Sequence, residues 1–148
     1  MAALIPNIES IDRDALKAQA VALRAERGYN CAQAVVCALA PYTGVDADAA
    51  FRMAEGFGAG MGAMAEVCGA ISGAVMSVGA LTSTGTANPT SKGHTYSYTR
   101  QIAAGFHKKN GSTICHELKG AGAGHGPLRS CPGCIEDAID LALDVLAE

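Results

Sequence analysis

An all-α fold is what this sequence predicts, and three observations carry that prediction. Apolar residues recur at helical spacing in several separate segments. No stretch alternates apolar and polar residues as a half-buried strand does. Segment after segment opens on a residue that caps helices and closes on glycine. With 148 residues the chain is long enough for one domain with a real core. The expectation is a single domain of about six helices around a central Gly/Ala-rich helix. Residues 1–11 are expected to form a poorly ordered arm.

The first helix is expected over 12–27. Asp12 can cap it; Leu16, Ala20 and Leu23 mark one face; Gly28 ends it. Asn30 then starts a second helix, with Gln33 three residues on completing a capping box. That helix runs through Val35 and Leu39 to Pro41 and carries Cys31 at its first position. Asp46 or Asp48 starts a short third helix, 47–55. The glycine ladder Gly56, Gly58, Gly60, Gly62 suits neither helix nor strand and is expected to be an ordered loop.

The central helix is expected over 64–81, with Val67, Ile71, Val75 and Val78 in register and Cys68 near its start. Gly69, Ala70 and Gly73 thin one face so that neighbouring backbones can approach. Residues 82–93 form a loop rich in Ser, Thr, Gly and Pro. A helix over 94–109 follows, with Ile102, Ala103 and Phe106 on its apolar face. Ser112 or Thr113 caps a short helix, 114–118, with Cys115 in its first turn. Residues 120–126 are a glycine-rich linker without the Gly-Lys-Ser/Thr ending of a phosphate loop. The last helix opens on Cys131-Pro132, and Ile135, Ile139, Ala142 and Leu146 form its stripe.

Charge and composition narrow the function classes. A net charge of −3 with no basic stripe argues against nucleic-acid binding. Glu66 interrupts the start of the central apolar run and Thr82–Thr86 make its end polar, so no membrane span is expected. The N-terminus lacks a basic region followed by a long apolar stretch, and the expected location is cytoplasmic. Six cysteines in such a chain point to redox chemistry or metal ligation rather than structural disulfides.

The position of those cysteines is the sharpest signal. Cys31, Cys68, Cys115 and Cys131 each fall at or near an expected helix start. A helix start presents unpaired N–H groups and partial positive charge, which favour thiolate over thiol. A thiolate attacks disulfides and binds soft metals. Four such placements suggest helix starts converging on one site. In Cys131-Pro-Gly-Cys134 the two cysteines share a helix face, so Cys131 could attack and Cys134 resolve. The same spacing suits two ligands of a zinc or iron–sulfur site. Cys37, in mid-helix, is expected to be a small buried hydrophobe. The histidines, 94, 107, 116 and 125, are scattered and expected at the surface.

With Asn30-Cys31-Ala-Gln-Ala-Val35, Gly56-Phe-Gly-Ala-Gly-Met-Gly62 and Val67-Cys68-Gly-Ala-Ile-Ser-Gly73-Ala74 in view, the chain resembles a known family. This is the redox-active family named for the pattern C…GCAxxG…C…C, and the resemblance runs from about Gly28 to the C-terminus. It implies Cys31, Cys68, Cys115 and Cys131 as the family's four cysteines, with Cys37 and Cys134 as additions. Here glycine follows Cys68 and valine precedes it, a departure from the family's Gly-Cys-Ala order. The later part of the pattern also resembles a module of split-Soret cytochromes, which is associated with an iron–sulfur centre and haem.

Three readings follow. The first is a thiol–disulfide protein using Cys31, Cys68, Cys115 and Cys131, with Cys134 as a resolving partner and a redox partner of unspecified identity. The second uses Cys31, Cys68, Cys115 and Cys131 as ligands of an iron–sulfur cluster or zinc. The third is a helical interaction module with inert cysteines. The Gly/Ala-rich surface suits a homodimer.

Overall fold

The computed structural model describes residues 3–122 and 124–148. Seven helices and no strand are found among them, so the all-α expectation holds. Asp12 accepts the Ala15 N–H at 3.1 Å and starts α1 (Arg13–Arg27), which Gly28 closes in the left-handed conformation. Asn30 and Gln33 form the expected capping box, each side chain accepting from the other's backbone N–H at 2.9 Å. The helix they open, α2 (Cys31–Thr43), runs past Pro41 for its final turn. Asp46 caps α3 (Ala47–Ala54), and a single 3₁₀ turn at Glu55–Phe57 leads into the glycine ladder.

The central element is α4 (Gly69–Thr82), which packs against α2, α7 (Cys131–Leu146) and α5 (Lys92–Asn110). Its small residues allow that closeness. A β-carbon built on Gly73 would lie 2.6 Å from the Ala32 carbonyl oxygen and 2.9 Å from Val35 Cβ, both on α2. Gly73→Leu is therefore expected to destabilise the fold by about 1–3 kcal/mol through overpacking. The urea midpoint should fall with an unchanged slope. An unmoved midpoint would place the two helices further apart than this.

The structure corrects the start of the central helix. It begins at Gly69, not at residue 64, and Val67 lies outside it on the surface. Residues 66–68 instead run antiparallel to 113–115, bridged at Val67 and Ile114. The Cys68 N–H donates to the Thr113 carbonyl at 2.8 Å and the Cys115 N–H to the Glu66 carbonyl at 2.9 Å. Helical periodicity is a local signal, and a long-range backbone pairing outweighed it here. The short helix shifts by one residue for the same reason, giving α6 (Cys115–Lys119).

The N-terminal segment also departs from the poorly ordered arm expected of it. In its described part Ile5 and Ile8 are buried, and the Leu4 N–H donates to the Leu146 carbonyl at 3.1 Å. The apolar end of α7 needs cover, and these residues supply it.

Asp137 anchors the other end of α7. It is buried, and its carboxylate accepts from Arg129, Lys109 and Asn110. Burial alone would raise its pKa, but these donors hold it below the usual carboxylate range. The first turn of α7, which carries two cysteines, is thereby tied to the end of α5.

Candidate functional site

The helix starts do converge. Cys31 is the first residue of α2, Cys115 of α6 and Cys131 of α7, and Cys68 occupies the position just before α4. Local chemistry sets each one. The capping box orients Cys31. Ser130 Oγ accepts the Gly133 N–H at 3.1 Å and sets Cys131, with Pro132 beside it where a missing N–H costs nothing. Ser112 Oγ accepts the Ile114 N–H at 3.0 Å ahead of Cys115. The antiparallel bridge then fixes Cys68 next to Cys115, which no local signal could do.

These four cysteines line one cavity of about 640 Å³, together with Arg24 and Lys119. Cys31 and Cys131 are half-buried, whereas Cys68 and Cys115 are 2% and 5% exposed. Cys134 is completely buried and lies behind the lining. All six cysteines are free thiols in the structure. The glycine ladder closes the cavity with a tight irregular turn at Gly60–Met64. Gly60 has φ +53°, and a β-carbon there would collide with Cys115 Cβ. Ala59, Met61 and Met64 also have positive φ, at about 1–2 kcal/mol each for side-chain-bearing residues. This strain is concentrated at the cavity wall.

The thiols influence one another's ionisation in two sets, Cys31 with Cys131 (the outer pair) and Cys68 with Cys134 (the inner pair). In the outer pair, the Cys31 thiol, Lys119 and Arg24 push Cys131 down to about 5, against the opposing effect of burial. Cys31 is raised in turn, by its Cys131 partner and by burial. In the inner pair, the Cys134 thiol, the Ala70 and Ile71 N–H groups at the start of α4, and Lys119 bring Cys68 down to about 7. Cys134 is correspondingly raised. Cys115 stands apart from both pairs, and burial raises it.

Lys119 joins the two pairs. Its Nζ lies 3.8 Å from Cys134 Sγ, and it lines the cavity with Cys131. Burial works to lower its pKa, but the neighbouring sulfurs outweigh this and raise it. Sequence reasoning missed both Lys119 and Arg24. For Lys119 a signal existed: it follows Cys115 by four residues on one short helix, so the two share a face. Arg24 carried no signal beyond its place in the last turn of α1.

The placement of the remaining residues is plain. Cys131 and Cys134 lie three residues apart at the start of α7, but Cys131 lines the cavity whereas Cys134 is fully buried and does not. Cys37 is half-buried, not buried, and its thiol donates to the Ala47 carbonyl at 3.7 Å, away from the cavity. His94, His107, His116 and His125 are all exposed, and none lines the cavity.

Among the described residues, no three or more Cys, His, Asp or Glu side chains are arranged to hold an ion. Among the described residues, no helix is long and apolar enough to cross a membrane.

An all-α fold whose helix starts present paired, cation-supported thiols to one cavity defines a redox-active cysteine protein. The chain belongs to the family described as "Putative redox-active protein (C_GCAxxG_C_C)", whose model matches residues 29–145. No curated protein and no solved structure matches the chain.

Proposed function

We propose that this protein performs thiol–disulfide exchange, with Cys131 as the attacking thiolate and Cys31 as the resolving thiol. The observation that carries this reading is that Cys31 and Cys131, each the first residue of a helix, line one cavity together with Lys119 and Arg24. Cys131 attacks one sulfur of a substrate disulfide and expels the other as a thiolate. Cys31 then attacks Cys131 in the mixed disulfide and expels the second substrate sulfur as a thiolate, while its proton goes to the first. The products are a Cys31–Cys131 disulfide, one thiol and one thiolate that takes its proton from solvent. Cys134 is not the resolving group in this reading, because it is buried and does not line the cavity. A reducing, cytoplasmic setting suits six free thiols. The redox partner delivers its sulfur through the cavity mouth, whether the chain acts alone or as a dimer.

The test is treatment of the reduced protein with oxidised glutathione, followed by peptide mapping. A Cys31–Cys131 disulfide is expected in the native sequence. Cys31→Ser should halt at a glutathione adduct on Cys131. A Cys131–Cys134 disulfide in its place would restore the terminal pair as the active dithiol. Stoichiometric iron or zinc on these sulfurs in protein prepared without air would overturn the reading in favour of ligation.

A further inference from the structure

We infer that the cavity takes a small disulfide carrying an anionic group, carboxylate or phosphate, and that Arg24 is the residue that selects it. The inference rests on the thiol–disulfide reading above and names the substrate class of that same site.

The cavity wall carries charge of one sign. Arg24 and Lys119 line it, and no Asp or Glu does among the described residues. The chain as a whole has a net charge of −3, so this lining runs against the protein's own balance. A concave wall of one sign concentrates its field in the space it encloses. The N-terminal ends of α2, α4 and α7 add to that field, because Cys31, Gly69 and Cys131 open those helices and line the same cavity.

Arg24 also has donors to spare. The ion pairs among the described residues join Arg13 and Lys17 to Asp140, Arg52 to Asp48, and Lys109 and Arg129 to Asp137. Arg24 enters none of them, and it stands exposed in the last turn of α1. A guanidinium meets a carboxylate or phosphate through two parallel N–H bonds. Space and access point to a small molecule. The cavity, at about 640 Å³, is within the usual range of small-molecule sites. Cys31 and Cys131 are half-buried in it, so the sulfur to be attacked has to enter. Arg24 holds the anionic end of such a substrate and takes no part in the bond changes.

Three disulfides test the selection at neutral pH and low salt: anionic oxidised glutathione, neutral 2-hydroxyethyl disulfide and cationic cystamine. Each rate of oxidation of the protein is divided by the rate of the same disulfide with 2-mercaptoethanol, which removes intrinsic reactivity. Glutathione is expected to rank first and cystamine last, although the protein's net charge favours the reverse. Arg24→Gln should lower the glutathione rate relative to the hydroxyethyl rate by about threefold. The ratio within one variant cancels any change in Cys131 itself, and Arg24→Lys should recover part of it. S-methylglutathione, which cannot exchange, and inorganic phosphate are then compared as protectants of Cys131 against iodoacetamide. Protection that is lost in Arg24→Gln is expected, and the anion effective at the lower concentration identifies the group. Circular dichroism checks that the variants are folded. A normalised cystamine rate above that of glutathione, equal slowing of glutathione and hydroxyethyl disulfide in Arg24→Gln, or protection by neither anion would overturn the selection while leaving the exchange chemistry intact. If no disulfide oxidises the folded protein but Arg24-dependent protection persists, the exchange reading fails and Arg24 remains an anion site.

Discussion

Cys131→Ser is expected to eliminate the fast phase of iodoacetamide labelling at pH 6 and all disulfide formation with the substrate. In the native protein Cys131 is pushed down to about 5, so at pH 6 it is mostly thiolate. An unperturbed cysteine at that pH is about 0.3% thiolate. A stabilised thiolate is a weaker nucleophile, which returns part of this gain, and the net advantage is about tenfold. The variant should therefore label at least about tenfold more slowly at pH 6, with the residual rate shared among buried thiols. The sign of the pH dependence follows from the direction of the shift. Because the pKa is lowered, the native fast phase should be flat above pH 6 and fall as the pH drops through about 5. A midpoint near the ordinary thiol value, or a fast phase that survives in Cys131→Ser, would remove Cys131 from the role of nucleophile.

The second large effect is expected from Lys119→Met, which keeps the length of the side chain and removes its charge. Lys119 lines the cavity with Cys131 and Cys68, donates to Cys134, and its charge favours the ionised form of the surrounding sulfurs. An opposite charge at this range favours the ionised form by about 1–3 pKa units. Without it, the labelling midpoint of Cys131 should rise by about one to two units. The rate at pH 5.5 should fall by up to about threefold, because the more basic thiolate is the stronger nucleophile, and the rate at pH 9, where the thiolate forms regardless, should rise by about three- to eightfold. Lys119→Arg should recover part of the low-pH rate, because a cation is restored with different geometry. A loss of equal size at both pH values would mean that Lys119 shapes the cavity without tuning its charge.

These two predictions draw on opposite kinds of information. Cys131 was visible before any coordinates existed, because Pro132 and the apolar stripe behind it mark a helix start, and a helix start favours a thiolate. Asn30 with Gln33 marked Cys31 in the same way. Lys119 became visible only when α6 was folded against α7. The central helix shows where local reasoning stopped. Val67 fits the helical register of Ile71, Val75 and Val78, yet Val67 pairs with Ile114, a residue far along the chain. The N-terminal segment shows the same limit. Its composition says nothing of the apolar end of α7 that Ile5 and Ile8 cover.

Helix identities, the caps at Asp12, Asn30 and Asp46, and the gathering of four cysteines at helix starts were thus legible in the order of the residues, whereas the short helix is entered from Ile114 and not capped by Ser112 or Thr113. Each depends on neighbours within about four positions, and hydrogen-bonding chemistry at that range is local. Which thiol faces which was not legible. The Cys31–Cys131 and Cys68–Cys134 pairings, the cation between them and the strained turn at Gly60 depend on how α2, α4, α6 and α7 pack. Sulfur-to-sulfur partnership between separate helices is set by their packing and by the backbone bridge at Val67 and Ile114, and neither leaves a periodic trace in the chain.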